Sequence, residues 1–110
     1  MTTEQKQLVE DAARLLGLEV VDWRGSTPVA TDNQGLLSGF NPYDPERGDL
    51  MKVAMAAELW IDFQFERVFY DYSSDEESFG FDKNDCQSLA LAILRAASAV
   101  MKARNGNENH

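Results

Sequence analysis

The sequence predicts an α+β fold, with helices packed on a small antiparallel sheet as an α-β-α layered sandwich, and three observations carry that expectation. Apolar residues recur at helical spacing near both ends of the chain and again in its middle. Clean two-residue alternation lies between the second and third of these stretches. The resulting order is helix, irregular stretch, helix, strands, helix, which suits helices segregated onto one small sheet. With 110 residues, 44% of them hydrophobic, the chain has the material for one domain and one core. That domain is expected over residues 1–104, with residues 105–110 as a frayed, disordered tail.

The first helix is expected over Thr3 to Leu16. Thr2 and Gln5 have capping-box spacing, Leu8, Val9, Ala12, Leu15 and Leu16 share one face, and Gly17 ends it. "LEVVDW" reads as a short strand. The residues from Arg24 to Phe40 hold Gly25, Pro28, Gly35 and Gly39 with little periodicity, so they read as a long loop with at most local pairing. Asp44-Pro45 then predicts a helix capped by Asp44, with Pro45 as its first residue, running to about Leu59. Leu50, Val53, Ala54 and Ala57 are its buried stripe, and Met51 and Met55 are read as flexible core filler.

In "WIDFQFERVFYDY", Ile61, Phe63 and Phe65 alternate with Asp62, Gln64 and Glu66, and beyond Arg67 the phase flips to Val68, Tyr70 and Tyr72. A bulge or a hairpin is therefore placed at Glu66-Arg67. "SFGF", Ser78 to Phe81, is expected to return as a third antiparallel strand. The last helix is expected to be capped by Asn84, three residues before Gln87, with Leu89, Ile93, Ala97 and Val100 as its main stripe. Leu91 and Leu94 lie off that stripe, so this helix is either central in the fold or shared with a second copy, which makes a homodimer through it an alternative.

Three blocks of the chain resemble the phage ABA sandwich family, small uncharacterised proteins of bacteriophages and prophages in which helices flank a sheet. "LVEDAARLLGLEVVDW" is similar to the family's opening helix, with Gly17-Leu18 where the family has Gly-Trp. "FNPYDPERGDLMKVAMAAELWI" is similar to its Trp-Asn-Pro entry and Asp-x-Leu-x-x-Ala helix, with Phe40 in place of the tryptophan. "SLALAILRAASAV" is similar to its closing Ala-rich helix. The resemblance implies a phage or prophage origin and a layered fold, and it brings no catalytic residues with it.

Several chemistries lack their parts. One cysteine, Cys86, permits no internal disulfide and suits a reducing compartment, so a cytoplasmic location inside a bacterial host is expected. Cys86 itself is expected to be buried or inert. The sole histidine, His110, is the last residue, which leaves no base for Ser-His or Cys-His catalysis and no zinc ligand set. No signal peptide is read at the N-terminus, and the apolar run Leu89 to Leu94 is far short of the ~20 residues of a membrane span. No cofactor or metal is expected. A calcium loop starting at Asp71 would need Gly at its sixth place and Glu at its twelfth, where Glu76 and Asp82 stand.

The net charge of -9 disfavours nucleic acid and anionic membranes and favours a protein partner with a basic surface. From Asp62 to Asp85, eight acidic residues face only Arg67 and Lys83, so six of the nine net negative charges fall in this stretch. Aromatic residues, Trp60 and Phe69 among them, are interleaved with these acids. The predicted partner-binding residues are Tyr70, Tyr72, Asp75, Glu76, Glu77 and Phe79, in a protein read as a non-enzyme. An alternative from another class is a small-ligand pocket between sheet and helices, bounded by Trp60, Phe63 and Tyr70.

Overall fold

The computed structural model describes residues 2–70 and 77–108. Tyr72, Asp75 and Glu76 of the predicted surface, His110, and the first half of the Asp71–Asp82 loop tested for calcium lie outside those residues.

Helix α1, Thr3–Leu15, opens on the expected capping box: the Thr2 hydroxyl accepts the Gln5 N–H, and the Gln5 side chain accepts the Thr2 N–H. Its apolar face buries Leu8, Val9, Ala12 and Ala13. Strand β1, Glu19–Arg24, follows as expected, and the local pairing left open in the stretch after it is realised as regular strands. That stretch forms strands β2, Thr27–Thr31, and β3, Leu37–Ser38, in an antiparallel sheet of order β1-β2-β3. Gly25, at φ 63°, supplies the left-handed residue of the two-residue turn that joins Arg24 to its partner Thr27. Pro28 is tolerated in β2 because β3 pairs only with Ala30 and Thr31, so at Pro28 one side of the strand has no ladder.

Helix α2 is shorter than expected, Asp49–Ala56. Asp44 does not cap it: its carboxylate accepts the Glu46 N–H at 3.0 Å and its carbonyl accepts the Arg47 N–H, so Pro45 opens a turn. Gly48, at φ 72°, then breaks the path before the helix begins. Asp49 is buried, and its Oδ2 accepts the Asn41 N–H at 3.0 Å and the Arg47 Nε–H at 2.7 Å. Met51 and Met55 are exposed rather than core filler, because the short helix turns Leu50, Val53 and Ala54 inward.

Strands β4, Trp60–Asp62, β5, Arg67–Phe69, and β6, Phe79–Gly80, form a second antiparallel sheet of that order. The phase flip is thus a hairpin whose loop is residues 63–66, and the expected third strand is present. The strands divide between two sheets where the sequence led to one.

Helix α3, Cys86–Glu108, continues through residues 105–108, into the segment expected to be a frayed tail. Asp85 rather than Asn84 supplies its cap, accepting the Gln87 N–H at 3.0 Å, while the Asn84 N–H is itself held by Asp82. The helix packs against α1, α2, β5 and β6. Ala90, Ala92, Ile93, Leu94, Ala96, Ala97 and Val100 are buried around it, so it is central within a single chain and Leu94 is fully enclosed. Among the described residues, Cys86–Arg104 alone has the length and apolarity of a membrane span, more than the Leu89–Leu94 run suggested, and half of it is buried as a core helix here. One buried carboxylate crosses the α1–α3 contact: Asp11 Oδ2 accepts the Ser98 hydroxyl at 2.7 Å and Oδ1 accepts the Gln7 amide at 3.0 Å.

If α3 is the keystone, Leu94→Ala lowers the unfolding free energy in urea by about 3 kcal/mol, whereas the exposed Met55→Ala changes it by less than about 0.5 kcal/mol. Equal, small effects would contradict this packing.

Candidate functional site

The β4–β6 sheet has two faces, assigned by register. Ile61 pairs with Val68 and Val68 with Phe79, and these three turn toward the core. The alternate residues, Trp60 paired with Phe69 and Asp62 paired with Arg67, therefore share the outer face. Trp60 is 70% exposed and Phe65, in the hairpin loop, 71%.

Local chemistry holds this face in shape. Asp62 Oδ1 accepts the N–H groups of Gln64 and Phe65 at 2.9 and 3.1 Å, which closes the loop as an Asx turn. Glu66 takes a left-handed φ of 54°, and its carbonyl accepts the Phe81 N–H at 3.0 Å. The Glu66 carboxylate accepts the Lys83 N–H, which ties the hairpin to the link between β6 and α3. The Arg67 guanidinium lies along β6: a methyl group at Gly80 would stand 3.6 Å from its Nη1. Asp62, Phe65, Arg67, Phe69 and Ser78 line a recess of about 530 Å³ on this face.

The predicted site residues are not all brought together. Glu77 is exposed. Phe79 points to the other side of the sheet, where it packs against the core, because it pairs with the buried Val68. Tyr70 is partly buried against the core as well, and burial followed by the charge of Glu77 raises its phenol above the usual value. The pocket expected between Trp60, Phe63 and Tyr70 does not form that way: Trp60 and Phe63 stand in solvent, Phe63 meeting Phe81 edge-on at 5.7 Å. Cys86 is exposed rather than buried.

A second recess, about 460 Å³, lies between α1 and α3, with Glu4, Asp11, Phe79, Arg95, Ser98 and Lys102 among its lining. Glu4 and Arg95 meet across it at 3.5 Å. A third, about 290 Å³ and largely apolar, lies between the start of α3 and the turn before α2, with Tyr43 and Cys86 in its wall. The Tyr43 hydroxyl is buried with no hydrogen-bond partner among the described residues. Among those residues no three Asp, Glu, His or Cys side chains gather as a metal site.

Compared with protein-family models, curated proteins and solved structures, the chain has no match.

The pairing of Trp60 with Phe69 is not among the sequence-based expectations, although its signal is present in the chain. An Asx turn at Asp62 makes residues 63–66 the loop and forces Trp60 opposite Phe69.

Tyr43 offers a check on this region. Burial, offset in part by Arg95 and reinforced by Glu4, raises its phenol above the ordinary 10.0, so the folded chain resists an ionisation that the unfolded chain accepts. Stability is unaffected below that pH and falls as pH rises beyond it. Tyr43→Phe removes an unsatisfied hydroxyl, so it raises the unfolding free energy by about 1 kcal/mol at neutral pH and makes the alkaline decline shallower. Denaturation curves from pH 7 to 11 measure both.

Proposed function

We propose that the protein is a non-enzymatic binding protein that engages a basic surface on another protein through the outer face of the β4–β6 sheet and the acidic segment next to it. The observation that carries this is Trp60. A tryptophan 70% exposed, in register with Phe69 and on one face with Asp62, lies beside a stretch holding six of the nine net negative charges. Exposed aromatics with charged residues beside them, here Asp62 and Arg67 on the same face, suit a hot spot inside a polar rim. On the three blocks resembling phage ABA sandwich proteins, the partner is a host or phage protein met in the bacterial cytoplasm, and the role is host modulation or counter-defence.

A second reading, small-ligand binding, has the groove between α1 and α3 in its favour, since about 460 Å³ lies within the range of ligand sites. A thermal-shift panel separates the two: a large upward shift with a metabolite or nucleotide would favour the groove. The homodimer has less behind it, because Leu94 is enclosed by the chain's own core.

The test of the first reading is affinity capture from host lysate by the native protein and by a variant with Asp75, Glu76 and Glu77 changed to Lys. The expected result is one basic protein retained by the native chain at low salt, weakened as salt rises and lost with the variant. The same protein retained by both, with equal salt dependence, would remove the acidic segment from the account.

A further inference from the structure

We infer that the outer face of the β4–β6 sheet selects arginine over lysine in its partner, with Trp60 as the residue that stacks on the guanidinium. This rests on the proposed function, since it names the chemistry that the acidic, aromatic surface would take. The chain has two tryptophans, and they are placed differently. Trp23 faces the core side of its sheet and already carries a cation, with Lys6 Nζ standing 5.4 Å from its ring centroid. Trp60 has no cation over it among the described residues and turns 70% of its surface to solvent.

Its neighbours complete the geometry for a planar cation. Phe69 lies directly across the strand pair and Asp62 two residues along, on the same face. The carboxylate of Asp62 directs Oδ1 at the Gln64 and Phe65 N–H groups, so its position is set by the turn. A guanidinium stacks on an aromatic face while its N–H groups donate sideways to a carboxylate, whereas an ammonium is a compact, strongly hydrated point charge that gives up more water to reach the ring. Asp62 attracts both cations alike, and Arg67 across from it on the same face repels both alike. The tryptophan separates them.

The experiment titrates oligo-arginine and oligo-lysine peptides of equal length into the native chain, Trp60→Leu and Trp60→Tyr, at low and at physiological salt. Trp60 is exposed, so these substitutions leave the core intact. The expected result is that the arginine peptide binds the native chain about fivefold or more tighter than the lysine peptide. That preference disappears in Trp60→Leu, is kept in Trp60→Tyr, and in every variant binding weakens with salt. Equal, salt-sensitive binding of both peptides would overturn the inference and leave the acidic surface standing. Absence of binding by either peptide at low salt would overturn both.

Discussion

Everything in this fold depends on α3 being buried on more than one side. A helix that carries Leu94 off the stripe of Ile93 and Ala97 cannot lie at a surface with one face wet. Alanines at 90, 92, 96 and 97, with Ser98, keep its girth small, so α1, α2 and the β5–β6 strands all pack against it. The polar crossing from Ser98 to Asp11 is satisfied at both oxygens of the carboxylate, which makes its burial tolerable.

That arrangement decides what the surface is left with. Val68, Phe79 and Ile61 are drawn inward to cover α3, and strand alternation then sends Trp60 and Phe69 outward. The core has no further use for them. Single exposed apolar residues are ordinary on any protein, but a cross-strand aromatic pair with Phe65 beside it is a patch. In the sequence, Phe69 is followed closely by the residues that concentrate the chain's negative charge.

Much of this is legible in the residues alone. The capping box at Thr2 and Gln5, the third strand at Phe79-Gly80 and a last helix apolar on more than one side all follow from spacing and side-chain type. What is not legible depends on backbone conformations that residue names leave open. Asp44-Pro45 reads equally as a helix start and as a turn, and the left-handed Gly48 decides for the turn. Gly25 and Pro28 are loop signals, yet here one makes a tight hairpin and the other occupies the unpaired side of β2. At the candidate site the acidic, aromatic character is plain from the sequence. The sidedness is not, because it turns on the Asx turn at Asp62 and the left-handed φ of Glu66, which together place Phe79 inward and Trp60 outward.

The most direct measurement of the central claim is native-state hydrogen exchange of α3 at two protein concentrations a hundredfold apart, on the full chain. If α3 is completed by its own chain, the amides from Leu91 to Val100 are the slowest in the protein, exchange only through global unfolding, and do so at the same rate at both concentrations. Protection in that segment that rises with concentration would show that a second copy finishes the core, and would contradict a helix enclosed within one chain.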